Sequence, residues 1–291
     1  MKEGFAIGAG LIVSGLMLEW SVGPVKWDMM VWPVNVIVLV CFVGFIVVMH
    51  ILRHKMYAFR FLASYQAAVP VMAYAVLLTV IMGLTRQTVN GTWLNNMLTF
   101  WPFVLIYVYM ALILGLVVMK SLAHMKSVGK VVAMLFHLGL FITITTATLG
   151  NADMQRLKMI TAVGEPEWRA MDQEHNVVQL PLAIELRKFI METYSDGSPR
   201  RFASEIQILT QSGDNLLATV DVNHPVKVEG WKIYQYGYDT SMGARSNTSI
   251  LELVSDPWLP FVYVGIYMML IGAVLMFIMG HTVNHRKMEQ I

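Results

Sequence analysis

VGKVVAMLFHLGLFITITTATLG, residues 128–150, decides the fold. It carries one cation, Lys130, near its start, no carboxylate, and a single histidine at position 137. As a helix rising 1.5 Å per residue it is long enough to cross a hydrocarbon core about 30 Å thick. The next residues, NADMQRLKM, change character at once. About a hundred polar residues follow, and then a second apolar run begins at WLPFVYVGIYMMLIGAVLMF, from Trp258. The pattern is span, water-facing insert, span.

The whole chain agrees with that reading. Of its 291 residues 56% are hydrophobic and only 14% charged, with a mean hydropathy of +0.58. An ordinary soluble domain is about 25% charged. The net charge is +2, without a long single-sign run, so nucleic-acid binding lacks an electrostatic footprint. A lone cysteine, Cys41, excludes an intramolecular disulfide, a CxxC redox pair and a thiolate zinc cage. Residues 151–257 hold 10 Lys/Arg against 15 Asp/Glu, whereas the remainder holds 11 against 4. An acidic insert of one small domain therefore interrupts an apolar chain.

Six stretches are long and apolar enough to span: 4–22, 29–52, 62–84, 98–119, 128–150 and 258–280. The first lacks an A-x-A-like site and has only Lys2 as a positive flank, so it reads as a retained helix. Arg53, Lys55 and Arg60 fill one loop, Lys120, Lys126 and Lys130 another, and Arg286 and Lys287 the tail. The intervening loops hold only Lys26 and Arg86. The positive-inside rule then predicts both termini in the cytoplasm and 151–257 outside. Trp27, Trp32, Trp93, Trp101 and Trp258 fall at the outer ends of spans, where an aromatic belt belongs. Glu19 lies beside that interface and is expected to be hydrated there.

Within the insert, runs at 177–185, 203–209, 216–222, 231–238 and 249–254 read as strands, with turn signals at 196–199 and 212–215. Residues up to Glu174 read as amphipathic or irregular. Alternation places Leu216, Ala218, Val220 and Val222 on one strand face. It sets Tyr234, Tyr236 and Tyr238 on one face and Trp231, Ile233 and Gln235 on the other, the Trp231 side being the expected core. A small antiparallel β domain results. No glycine-rich phosphate loop, G-x-S-x-G elbow or H-E-x-x-H motif occurs.

Among eight histidines, His137 is singular. Seven residues past Lys130, it is expected about 10 Å into the inner half of the membrane. An ionisable side chain at that depth must be paired or functional. It is either an axial haem-iron ligand or a hydrogen-bonding contact to a neighbouring helix. His50 and His54, four residues apart at the inner end of the second span, could hold a metal or receive haem, or simply join a basic loop. His281 and His285 repeat the spacing, His124 lies in a basic loop, and His175 and His224 lie in the insert. Most of the 23 methionines read as packing.

The block from Val222 to Met279, with VNHPVKVEGWKIYQYGYD and SILELVSDPWLPFVYVGIYMMLIGAVLMF, resembles the ResB/CcsB family of cytochrome c maturation proteins. The matching residues are Asn223, Pro225, Gly230, Trp231, Tyr234, Gln235, Tyr238, Asp256 and Pro257. Upstream, FHLGLFITITTATLGNADMQRLKM and PLAIELRKFIMETYSDGSPRRFASEI resemble the leading helix and middle strands of the same family. Five helices precede the insert where the family usually has about three, and the tryptophan-rich haem-handling motif of the partner protein CcsA is missing.

The resemblance implies a six-helix membrane bundle with a mainly β domain before its last helix, in the bacterial cytoplasmic membrane. It implies a subunit that exports haem b and presents it for attachment to apocytochrome c alongside CcsA. That subunit would be non-catalytic or share the site of a holocytochrome c synthase. Its haem ligand would be His137, with His50 as a further cofactor-binding candidate. A quinol-linked b-type cytochrome anchor using His50 and His137, and a scaffold bracing CcsA, are the alternative classes.

Overall fold

A computed structural model describes residues 1–88, 91–123, 127–196 and 198–288. The expected Lys126 and His124 of the basic loop and Gly197 of one turn lie outside the described residues. Two compact units emerge, one of residues 1–152 with 258–291 and one of residues 153–257.

The first unit is helical. Six helices are apolar and long enough to span a membrane: α1 (Lys2–Val22), α2 (Val34–Leu52), α4 (Tyr65–Leu84), α5 (Trp101–Leu122), α6 (Val128–Gly150) and α7 (Leu259–Met288). A short α3 (Tyr57–Leu62) fills one loop. Each expected span is present, and each tryptophan of the expected belt sits at a helix end or in an adjoining turn. The chain is a multi-pass membrane protein. α5 is the centre of this unit, packing against α1, α2, α4 and α6. Ile106, Ile113 and Leu116 of α5 are buried, whereas Val40, Val76 and Val274 on other helices are exposed. Helices apolar all round, with bulky aliphatic side chains pointing outward, belong in lipid.

Lipid offers helices no hydrophobic drive to associate, so they pack through small residues that admit close approach. The buried residues of α1 are Gly4, Gly8, Gly15 and Glu19. A Cβ at Gly15 would lie 2.6 Å from the Pro102 nitrogen of α5. α6 and α7 form the most extensive helix pair on the same principle. A Cβ at Gly139 would lie 2.6 Å from the Gly265 carbonyl oxygen, and one at Gly272 would lie 2.8 Å from the Phe136 nitrogen.

The second unit is one eight-stranded antiparallel sheet in the order β5-β4-β3-β2-β1-β8-β7-β6. The strands are β1 (Gln155–Ala162), β2 (Glu167–Met171), β3 (Val177–Thr193), β4 (Pro199–Thr210), β5 (Asn215–Asp221), β6 (Val226–Val228), β7 (Trp231–Tyr238) and β8 (Thr248–Ser255). The first and last strands pair over their full length, Gln155 opposite Ser255 and Ala162 opposite Thr248. The domain therefore leaves and rejoins the helical chain at neighbouring strand ends. The sheet curls, so that Ser204 of β4 donates to Gln235 Oε1 of β7 at 2.7 Å and reaches Ser249 Oγ of β8 at 2.8 Å. Leu157, Met159, Ile184, Leu186, Ile206, Ile233, Leu251 and Leu253 fill the interior.

Five strands match the expected runs and three do not. β1 and β2 occupy residues expected to be irregular, and β6 is only three residues long. In β1 the alternation is clear, Leu157, Met159 and Thr161 being buried and Arg156, Lys158 and Ile160 exposed. Charged residues on its outer face obscured it. In β5 only Val220 is buried; Leu216 and Val222, expected on the same inner face, are about two-fifths exposed because β5 is an edge strand.

Candidate functional site

His137 is half-buried in α6. Its Nδ1 lies 2.6 Å from the carbonyl oxygen of Ala133, one turn back, and its ring meets Phe136 edge-on at 5.7 Å. A carbonyl only accepts, so Nδ1 carries the proton and the Nε2 lone pair is left for another partner. Ligating histidines are commonly oriented this way, with the second nitrogen donating to a backbone carbonyl. This hydrogen bond lies within α6.

Two contacts set α2 antiparallel to α6. Asn35 Nδ2 donates to the Leu149 carbonyl at 3.3 Å, and Phe42 stacks on Phe141 at 6.4 Å. In that register the residue level with His137 on α2 is Ile46, itself buried. His50, four residues on, sits about 6 Å nearer the helix end. His50 Nδ1 lies 2.6 Å from Nη1 of Arg53, whose guanidinium is against the ring. α2 ends at Leu52, and exposed His54 falls in the turn beyond it. The two histidines therefore do not share a helical face. Among the described residues no cluster of three His, Cys, Asp or Glu side chains could hold a metal. A single imidazole with a free Nε2 fits axial ligation of a haem iron, not a protein cage around a bare ion. The side chains of His281 and His285 lie outside the described residues.

The family-motif residues take architectural positions. Asn223 has φ 66° in the turn from β5 to β6, a left-handed conformation that asparagine tolerates, and Pro225 leads into β6. Val228 pairs with Trp231, and between them Glu229 (φ 44°) and Gly230 (φ 83°) make a two-residue hairpin with both central φ positive. Such a turn favours glycine. Trp231 is buried in the domain core. Gln235 accepts from Ser204 and donates from Nε2 to the Gly237 carbonyl at 2.8 Å and Ser249 Oγ at 2.9 Å.

Alternation predicts Tyr238 beside Tyr234 and Tyr236. A register shift between Gln235 and Gly237 inserts an extra residue and turns Tyr238 inward. Its ring stacks between Phe189 and Phe202 at 4.9 and 5.0 Å. Tyr234 stays outside, opposite Glu252, and Tyr236 is exposed beneath Lys158 Nζ at 3.9 Å. Asp256 and Pro257 form the exit from β8 towards α7.

Charge pairing in this domain is local. Arg169 holds Glu167 through two hydrogen bonds of 2.8 and 2.9 Å and pulls its carboxyl down to about 2. Arg201 bridges Asp221 at 2.6 Å and Glu192 at 3.0 Å. In the helical unit, Glu19 is not hydrated as its position suggests. It is 7% exposed, and its Oε2 accepts from the Trp101 amide at 3.1 Å. It caps α5, satisfying one of the amides a helix start leaves without a partner.

A bundle of spanning helices with a curled antiparallel sheet inserted before the last one defines the class: an α-helical membrane protein with a β domain between its final two spans. Residues 120–250, α6 with most of the sheet, match the ResB-like family. The matched segment stops before Asp256 and Pro257. Curated relatives agree. The cytochrome c biogenesis protein CcsB of Prochlorococcus marinus subsp. pastoris is 28% identical over 124 residues, covering 42% of this chain and 28% of that protein. CcsB of P. marinus strain MIT 9303 is 32% identical over 109 residues, covering 37% and 24%. The similarity thus spans about a quarter of the relatives' length. Among solved structures, a cytochrome c heme lyase CcmF aligns with 69% of this chain and 34% of its own, at a TM-score of 0.37 and 12% identity.

Proposed function

We propose that this chain is a subunit of a cytochrome c biogenesis complex in the bacterial cytoplasmic membrane. It helps export haem b and presents it for attachment to apocytochrome c outside that membrane, beside a CcsA-like protein. The observation that carries this reading is His137: an intramembrane imidazole inside the ResB-like segment, its proton held on Nδ1 and its Nε2 free. Similarity to proteins named for cytochrome c biogenesis supports it. Haem held there supplies the porphyrin that becomes bonded to the apocytochrome. Cys41 is this chain's one thiol and lies within α2, so the chain offers no thiol pair of its own, in keeping with a carrier or shared-site subunit. No described histidine on α2 is level with His137, so if His137 holds the iron, a second protein ligand would have to come from the partner. His50, one turn towards the helix end, is a way-station candidate. The basic loops support a topology with both termini in the cytoplasm and 151–257 outside.

The test is absorption spectroscopy of the purified protein, alone and with its CcsA-like partner. Haem in the complex only is expected. Stable haem in the lone subunit favours a b-type anchor, and none in either favours a scaffold. His137→Gly is expected to empty the complex of haem and abolish maturation, with partial rescue by added imidazole. Full maturation and wild-type haem content in His137→Gln would refute ligation, since an amide keeps the hydrogen bonding but ligates iron poorly.

A further inference from the structure

The sheet register brings three cations into one row on the outer face of the β domain. Lys227 is directly opposite Lys232, Lys232 opposite Val254, and Val254 opposite Arg156. At the usual strand spacing the row is about 14 Å wide across four strands. Lys227 and Arg156 are exposed and Lys232 is half-exposed, while Val228, Ile233 and Leu157 beside them point inward. Like charges directly opposite on adjacent strands repel and destabilise the pair. Yet none of the three forms an ion pair among the described residues, in a domain where acids outnumber bases 15 to 10.

The row's position identifies its counter-charge. Gln155, Ser255, Trp231 and Val228 form the terminal row of the sheet, and the cations stand one residue in from it. This is the end at which the domain's chain begins and ends. Arg156 follows the last residue of α6 by six positions, and Val254 precedes the first of α7 by five. Along the chain only a few residues separate the row from two membrane-spanning helices, which favours lipid headgroups as its counter-charge. Of the carboxylates near the row, Glu252 stands opposite Lys158, Asp153 and Asp256 have partners, Glu229 accepts from Ser212 at 3.1 Å, and Asp172 accepts from the Glu174 and Asn176 amides of its own turn.

We propose that Lys227, Lys232 and Arg156 bind the phosphates of anionic phospholipid headgroups. The proposal is independent of haem handling.

The test is hydrogen–deuterium exchange on the full chain in nanodiscs, comparing phosphatidylglycerol with phosphatidylcholine. Segments 154–158 and 226–233 are expected to exchange several-fold more slowly in phosphatidylglycerol. The protection should vanish in 0.5 M salt, and each cation neutralised should lower lipid preference roughly fivefold. Lys227→Glu with Lys232→Glu should abolish it while exchange in β3 and β4 stays unchanged. Equal exchange in the two lipids, or protection insensitive to salt, overturns the proposal. So does protection reproduced in phosphatidylcholine by inorganic phosphate alone, which would make the row a free-anion site. The wild-type lipid and salt comparisons decide the matter even where the double variant fails to fold.

Discussion

Adding one methyl group at Gly139 tests the packing that holds α7. The Cβ of Gly139→Ala would stand 2.6 Å from both the Gly265 carbonyl oxygen and the Met269 nitrogen. Ordinary contact begins near 3.4 Å, so the helices must part by roughly 0.8 Å or the backbone must bend. Both atoms are main chain, and no rotamer change relieves the clash. Overpacking of this kind costs about 1–3 kcal/mol. α6 is the principal neighbour of α7, so the loss is not shared with another contact. Gly44 and Gly83 provide the control, since a Cβ at either meets nothing within 4 Å. Their replacement by alanine should be neutral or stabilise by up to about 1 kcal/mol, as helix propensity dictates. Thermal or denaturant unfolding in detergent micelles, followed by a probe on α7, reads the difference. Gly139→Ala as stable as Gly44→Ala would refute the close-packed α6–α7 interface.

Three further outcomes follow from the structure. Glu19→Ala removes the α5 cap and should lower stability by about 1 kcal/mol, with Glu19→Gln recovering part of it; equal stability of all three by chemical denaturation would place the carboxylate elsewhere. Gln235→Leu leaves the buried Ser204 and Ser249 hydroxyls short of a partner at a cost of about 1–3 kcal/mol, read as faster amide exchange across β4, β7 and β8; unchanged exchange there would remove the network's structural role. Glu167 titrates at about 2 in the folded domain against an ordinary 4.5, so its contribution is complete above about pH 4.5 and is lost as pH falls through about 2. Acid unfolding of wild type should converge with that of Glu167→Gln near pH 2, and curves that stay parallel to that pH would exclude the Arg169 pairing as the cause.

The sequence by itself determined the spans, the insertion point and five of the strands. Twenty apolar residues have no stable alternative to crossing the bilayer, and loop charge gives such spans an expected direction. The N-x-P and G-W motifs were recognised through family resemblance alone, and the structure adds that Asn223 and Gly230 adopt positive φ in tight turns. His137 stood out because an imidazole among apolar residues is costly wherever its helix packs.

Tertiary structure decided what depends on neighbours distant in the chain. Tyr238 faces inward because of a bulge three residues earlier, and period-two counting cannot see an extra residue. Glu19 is buried because the start of α5, 82 positions away, needs its carboxylate. The glycines of α1, α6 and α7 acquire meaning only when a facing backbone arrives. So do Lys227 and Arg156: they are 71 positions apart in the chain but share one row of the sheet, because the register of antiparallel strands is a property of pairs.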